Sequence, residues 1–291
     1  MGIYGIQMII VDYSGLAIAT IVVNKLDDEN LLRHMILNSL RQYRTKYKKD
    51  FGELVLAIDG KNNWRRGYYP QYKANRKKKR EEDSFDWEKA FQVMHEIKDE
   101  ILENFPYKVI HVDECEADDI IGTLCENTHE FGNYEDVMII SADRDFLQLQ
   151  KYPNVRQYSP LMKKEYVEDN PKVNLIEKIL TGDAGDGVPN VLSDDDVFVE
   201  GRRQTPLSKK KKEAIKEDLA EGELLYAASW YRNYQRNETL IDLTKTPDRL
   251  KKQIIEKFNS QDQWHNKGLV FPYLINKNMK MLIESVEEFI N

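Results

Sequence analysis

Three short apolar runs constrain this chain more than anything else in it. Residues 6–12 (IQMIIVD), residues 54–59 (LVLAID) and residues 137–143 (VMIISAD) have strand length, and each runs out at a carboxylate: Asp12, Asp59 and Asp143. Apolar runs without polar alternation read as strands buried on both faces. Residues 107–112 make a further strand. Between them lie helical patterns. In residues 31–47, Leu32, Met35, Ile36, Ser39, Leu40 and Tyr43 fall near one stripe. A second helix runs through Phe91, Met94 and Ile97 to Leu102, with Ser84 or Asp86 as its cap. Residues 16–23 fit either helix or strand. Strands alternating with helices predict a parallel α/β core through about residue 160. In an open parallel sheet the carboxyl ends of the strands share one edge, where ligands bind, so Asp12, Asp59 and Asp143 are expected to converge.

More acids join them. Glu116, Asp118 and Asp119 open a helix, because Ile120, Ile121, Leu124 and Cys125 follow at helical spacing. Asp145 follows Asp143 closely, ahead of a short helical turn over 146–149 that Pro153 breaks. The loop after a helix over 173–180, TGDAGDGVP, adds Asp183 and Asp186, and its three glycines allow close backbone approach. Carboxylates at the end of a buried strand are costly unless an Arg or Lys, a proton or a metal neutralises them. So many acids aimed at one place favour a hard divalent cation. No His or Cys stands among them, which excludes a zinc-finger site and favours Mg²⁺, with Mn²⁺ able to substitute. Two such ions suit phosphodiester hydrolysis. The plain alternative is that each acid is a helix cap or surface charge. That covers Asp118 or Asp119 alone, at a helix N-terminus, but not the ordered set.

The formal net charge is −7, yet the basic residues are concentrated. Six of the eight residues from Lys73 to Arg80 are basic: Lys73, Arg76, Lys77, Lys78, Lys79 and Arg80. They follow an aromatic-rich stretch, Trp64 to Tyr72, which suits stacking on bases together with phosphate contacts. Pro70 argues against one continuous helix there. Lys209, Lys210, Lys211 and Lys212 form a second run. Negative pocket and positive flanks together suit a metal site beside phosphate-binding surfaces, although a lysine run is often only a solvated face. There is no apolar run of about 18 residues, so no membrane-spanning helix is expected. The N-terminal stretch lacks the basic flank of a secretory signal. Cys115 and Cys125, the two cysteines, stand about 15 Å apart if one helix carries both, too far to bridge, which fits a reducing interior.

Composition shifts near residue 180. Residues 1–180 are therefore expected to form an α/β domain with a basic arch near 64–85. Residues 181–291 are expected to form a mainly helical domain, with helices over 219–234 and 248–258 the clearest.

The motifs IIVDYSG, VLAIDG, YKANR, ECEADDIIGTL, ISADRDFLQL and TGDAGDGVPN, in this order, resemble those of the flap endonuclease and 5′-nuclease family. The segment FVEGRRQTPLSKKKKEAI resembles the ribonuclease H members from T-even bacteriophages. The resemblance spans about residue 6 to beyond 215. It implies a PIN-like α/β core and a 5′-to-3′ exonuclease that also cuts flaps, acting on RNA–DNA and DNA duplexes with a 5′ end and removing RNA primers from lagging-strand fragments. By motif, Asp12, Asp59, Glu116, Asp118 and Asp143 would serve a first metal. Asp145, Asp183 and Asp186 would serve a second, partly through water, with Asp119 in a water-mediated or supporting role. On this resemblance Asp12, Asp59 and Asp143 would be the central catalytic acids. Lys73 and Arg76 would contact the scissile phosphate, and Tyr72 would stack near the terminal nucleotide. Lys77 to Arg80, Arg202, Arg203 and Lys209 to Lys212 would grip the duplex backbone. A monomer in the cytoplasm of an infected host, working beside a single-stranded-DNA-binding protein and a sliding clamp, completes the implied picture. One departure stands out: where cellular members carry a glycine-rich helix–hairpin–helix turn that binds potassium, this chain reads VPNVLSDDDVF, with Asp194, Asp195 and Asp196 a poor phosphate cradle. Two other functions compete: a PIN-type ribonuclease on single-stranded RNA, which would need neither the GDAGD loop nor a basic arch, and a non-catalytic structure-specific DNA-binding protein, for which some acid position should have been replaced.

Overall fold

The computed structural model describes residues 7–24, 28–74, 76, 85–130, 135–222, 225–262 and 264–291. They divide into two compact units. The first comprises residues up to 61, 86–168 and 246–291; the second comprises 62–85 and 169–245. A single cut near residue 180 does not describe this division. The chain leaves the α/β unit after its second strand, returns, leaves again before 169, and comes back for its last helices.

In the first unit the three apolar runs form strands, as their composition requires. β1 (Met8–Asp12), β2 (Glu53–Ile58), β3 (Lys108–His111) and β4 (Val137–Ile140) are all parallel. They continue into β5 (Val155–Ser159), parallel to β4, and β6 (Lys164–Tyr166), antiparallel to β5. The sheet order is β3-β2-β1-β4-β5-β6. The order runs outward from β1 to β3, then restarts on the other side of β1, so the topological switch lies between β1 and β4. Register pairs Val11 with Ile140 and Asp12 with Ala57. The carboxyl ends of β1, β2 and β4 are thereby level.

Helices cover the sheet. α1 (Tyr13–Asn24) resolves the ambiguity of residues 16–23 in favour of helix. α2 (Glu29–Phe51) starts at Asp28, whose carboxylate accepts the Leu31 N–H, and stops at Gly52 with φ 74°. α4 (Trp87–Asn104) is capped by Asp86 rather than Ser84, which lies outside the described residues. α5 (Ala117–Glu130) carries the first acidic cluster. The tail adds α9 (Asp248–Ser260), α10 (Val270–Asn276), α11 (Lys280–Ile283) and α12 (Glu287–Ile290). α9 packs on α5 and β3, and the Gln261 side chain exchanges hydrogen bonds with the Val109 backbone (2.8 and 2.6 Å), so this β3 residue is not left with bare edge groups.

The second unit holds α3 (Trp64–Tyr68), α6 (Pro171–Thr181), α7 (Lys209–Glu221) and α8 (Tyr231–Ile241). The expected helix over 219–234 is broken: α7 ends at Gly222, left-handed at φ 70°, and a separate helix restarts at Tyr231. Tyr69, Tyr72, Ile179, Val188, Leu240 and Ile241 form one core cluster; Leu180, Val191, Ile215 and Trp230 form another.

Candidate active site

The acids of the α/β unit are placed by ordinary backbone chemistry. Asp12 ends β1 and its Oδ1 accepts the Gly15 N–H at 2.9 Å, which tightens the entry to α1. A side chain at position 15 would push the Asp12 carboxylate out of place, since a Cβ there would stand 2.4 Å from Asp12 Oδ2. Ser141, just past β4, donates its hydroxyl to Asp12 Oδ2 at 2.9 Å and accepts the Asp143 N–H at 3.1 Å. This one hydroxyl therefore ties together the carboxyl ends of the two strands at the switch point. Asp143 accepts the Asp145 N–H at 2.8 Å and so caps the 3-10 helix Arg144–Lys151. Gln157 of β5 supports the same turn, donating to the carbonyls of Ser141 (3.0 Å) and Asp143 (2.6 Å).

Asp59 follows β2 and accepts the Ala117 N–H at 2.8 Å, using the open amide end of α5. The arrangement requires close approach: Gly60 donates to Cys115 O at 2.7 Å, and a Cβ on Gly60 would stand 2.3 Å from Val112 O. Glu116 and Asp118 sit at the start of the same helix, Glu116 buried and Asp118 half-buried. Asp119 is different. It is fully buried, its Oδ2 accepts the Glu116 N–H and its Oδ1 accepts the Thr246 hydroxyl, both at 2.8 Å. It holds the helix start in place and ties it to the returning tail, which favours support over direct ligation. Its sequence position at a helix N-terminus is the signal for that role; the partner, 127 residues away, leaves no such signal.

The electrostatics report how close these acids are. The Asp12 carboxyl is pushed up to about 6, first by burial and then by the negative charge of Asp59, with Asp143 adding to it. The Gly15 and Ser141 hydrogen bonds pull the other way without compensating. Among the described residues no group of three or more His, Cys, Asp or Glu stands close enough together to hold a metal ion as placed. Asp12, Asp59 and Asp143 nonetheless follow level ends of adjacent strands and offer only oxygen donors, with Asp59 and Asp143 repelling Asp12, which fits a hard divalent cation.

In the second unit, Asp183 and Asp186 lie in the loop that follows α6. Burial raises the Asp183 carboxyl, but the Lys178 charge and hydrogen bond, together with the Asp186 and Gly185 amides, outweigh it and hold the group below the usual carboxylate range. Asp186 is engaged by three side chains of the YKANR stretch: the Tyr72 hydroxyl at 3.0 Å, Arg76 Nη2 at 2.5 Å and Lys73 Nζ at 3.5 Å. Tyr72 is 3% exposed and belongs to the core, so its ring is not presented as an open stacking face. Lys77, Lys78, Lys79 and Arg80 lie outside the described residues.

The remaining basic candidates separate. Arg202 is ion-paired with Asp194, Asp196 and Glu200, so its charge is already met. Lys212 pairs with Glu177 at 2.8 Å. Arg203 and Lys209 to Lys211 are exposed. The acidic triplet that looked like a failed phosphate cradle is a clamp instead: Asp195 pairs with Arg232 and the buried Arg236 of α8, and its carbonyl accepts the Tyr69 hydroxyl at 2.5 Å. Sequence reasoning missed Ser141, Gln157, Thr246 and this clamp, since each works through a partner distant in sequence.

A mostly parallel, PIN-like sheet with carboxylates following its central strands is the fold of the 5′-3′ exonucleases. The sequence agrees: residues 19–178 match the 5′-3′ exonuclease N-terminal resolvase-like domain, and residues 169–289 match the C-terminal region of T4 RNase H. The chain belongs to the 5′-3′ exonuclease family, in its phage ribonuclease H branch. It is 36% identical to the ribonuclease H of Enterobacteria phage T4 over 293 residues, an alignment covering 96% of this chain and 95% of that protein. The exonuclease of Escherichia phage T7 is 31% identical over 121 residues, 41% of this chain and 37% of that protein. In fold, it is similar to the bacteriophage T5 5′-exonuclease with bound zinc, at a TM-score of 0.61 and 16% identity, over 87% of this chain and 98% of that one. The T5 flap endonuclease solved as a pseudo-enzyme–product complex with DNA and metal ions gives the same score and identity over 87% and 97%.

Proposed function

We propose that this chain is a divalent-metal-dependent 5′-to-3′ exonuclease and flap endonuclease. Its substrates would be RNA–DNA and DNA duplexes with a 5′ end, and its task the removal of RNA primers from lagging-strand fragments. The observation that carries the reading is the row Asp12, Asp59 and Asp143 after adjacent parallel strands, where burial first and the Asp59 and Asp143 charges after it lift Asp12 to about 6. Asp12, Asp59, Glu116, Asp118 and Asp143 would hold the metal, with Asp145 beside them; Mg²⁺ is the expected ion. A cation so held would lower the pKa of a bound water and stabilise charge on the phosphate being cleaved. Asp183 and Asp186 keep a proposed part in metal binding on the strength of the motif.

The protein's own residues do the rest. The Gly15 N–H and the Ser141 hydroxyl hold the two oxygens of Asp12, one each, and the Ala117 N–H holds one oxygen of Asp59. Asp119 fixes the start of α5 and so the position of Glu116 and Asp118. Lys73 and Arg76 would bind the scissile phosphate and offset charge developing on it. Lys209 to Lys211 and Arg203, exposed on their unit, would contact duplex phosphates without reading sequence. A single-stranded-DNA-binding protein and a sliding clamp are the partners such a role would require.

The test is cleavage of a 5′-labelled nicked duplex and a 5′-flap duplex, with Mg²⁺ and then with EDTA. Short 5′ products that depend on metal are expected. Intact duplexes alongside cleaved single-stranded RNA would instead support a PIN-type ribonuclease.

A further inference from the structure

The YKANR stretch is held in an unusual way. Lys73 has φ 55°, a left-handed backbone that a residue with a Cβ rarely adopts. Asp186 meets that residue twice: the Lys73 N–H donates to the Asp186 carbonyl at 2.7 Å, and Lys73 Nζ stands 3.5 Å from Asp186 Oδ2. The same carboxylate takes the Tyr72 hydroxyl on Oδ2 and Arg76 Nη2 on Oδ1. Close approach of the two segments is built in, since a Cβ on Gly187 would stand 3.0 Å from Gln71 O. Asp186 is itself steadied by its own N–H, which donates to Asp183 Oδ1 at 3.1 Å.

A carboxylate bridging an Arg and a Lys presents two oxygens to them much as a phosphodiester does. We propose that Asp186 is a phosphate-mimicking latch, a positioning residue that keeps Lys73 and Arg76 neutralised and preorganised until a substrate phosphate replaces it. The proposal rests on the reading of Lys73 and Arg76 as phosphate-binding residues. The latch lowers attraction for nucleic acid in general, because every ligand must break the internal ion pairs before it forms the external ones, and it leaves the cations already aimed for the ligand that does. A purely structural role predicts the opposite sign: loss of Asp186 would disorder the stretch and weaken binding.

The experiment measures binding of a fluorescent 5′-flap duplex in EDTA, across a range of NaCl, by wild type, Asp186→Asn and Asp186→Ser, each first checked for a cooperative thermal transition. The expected result is affinity roughly tenfold higher at low salt, with log K falling more steeply against log salt by about 0.9 for each additional phosphate neutralised. The Asn change keeps the shape and an acceptor for Tyr72; the Ser change guards against a fold defect specific to Asn. In a Lys73→Ala/Arg76→Ala background the increase should vanish. Unchanged or weaker binding by both folded variants overturns the latch, and so does an increase that survives in the double-alanine background, which would mark a simple loss of negative charge. If the double-alanine protein binds as tightly as wild type, the phosphate-binding role of Lys73 and Arg76 itself fails, and the latch with it.

Discussion

Asp12 is where folding and chemistry conflict most openly. Its carboxyl rises from an ordinary value of 3.8 to about 6 in the folded chain. The folded state therefore binds the proton more tightly than the unfolded state does. The associated stability is fully present below pH 3.8 and is lost as pH rises through 6. At neutral pH without metal the ionised group then costs on the order of 3 kcal/mol. Asp12→Asn should raise the thermal midpoint measured in EDTA at pH 7, with the advantage shrinking as pH falls below about 6 and gone by about pH 4, while cleavage is abolished. A variant no more stable than wild type in EDTA would mean that the repulsion among Asp12, Asp59 and Asp143 is already relieved by other means. Adding Mg²⁺ should stabilise wild type more than the variant, since the ion answers a charge the variant lacks. Asp143→Asn should leave the fold intact, because an amide oxygen can still accept the Asp145 N–H, and should reduce single-turnover cleavage by several orders of magnitude; normal turnover would remove Asp143 from the site. The acids themselves were legible in the sequence because each follows an apolar run or opens a helix. Ser141 was not. A serine two residues before an aspartate carries no signal until the β1–β4 pairing brings Asp12 beside it.

At the level of elements, the apolar strands and long amphipathic helices were readable from composition and period alone. β5 and β6 were not, because β5 alternates buried and exposed residues around the buried, polar Gln157, and β6 has only three residues. The helical pattern over 219–234 misled for a local reason: Gly222 supplies the left-handed cap that ends α7, and one glycine weighs little against the surrounding periodicity. The four-lysine run at the start of α7 also divides. Lys209 to Lys211 are exposed, whereas Lys212 and Lys216 both pair with Glu177 of α6. Changing Lys209, Lys210 and Lys211 to Gln should weaken duplex binding and flatten its salt slope by roughly 0.9 for each phosphate left unneutralised. Lys212→Gln should leave the slope nearly unchanged and cost a few tenths of a kcal/mol of stability, as a half-exposed ion pair does. An equal loss of slope from both sets would show that the Glu177 pair does not withhold Lys212 from DNA.

Over the whole chain, the least readable property is that the α/β unit is completed by its last 46 residues, 246–291. A shift of composition near residue 180 suggests a simple two-part molecule, yet nothing local in the tail states that it returns to the sheet. The reason it must return lies in β3. Its edge is met by Gln261, Lys108 donates to the Phe258 carbonyl at 2.7 Å, and Tyr107, fully buried, donates to the Phe289 carbonyl at 3.1 Å. Phe105 packs edge-on against Tyr273 and Phe289, and Glu100 of α4 gathers Arg33, Tyr273 and Lys277 into one network. Leu250, Ile254, Phe258, Leu274 and Phe289 are fully buried, and each such side chain contributes on the order of 2 kcal/mol. Their sum is comparable to the whole stability of an ordinary domain, roughly 5–15 kcal/mol. A chain ending at Lys245 should therefore lose its cooperative thermal transition and its near-ultraviolet circular dichroism, and should expose an apolar surface that binds a hydrophobic dye, even though every proposed metal ligand is still present. Arg249→Ala, which removes only an exposed pair with Glu114, is the control and should melt close to wild type. A truncated chain that melts with the wild-type midpoint would place the sheet's stability entirely within residues 7–168, and the contribution of the Asp119–Thr246 hydrogen bond to the site would then be tested separately through Thr246→Val.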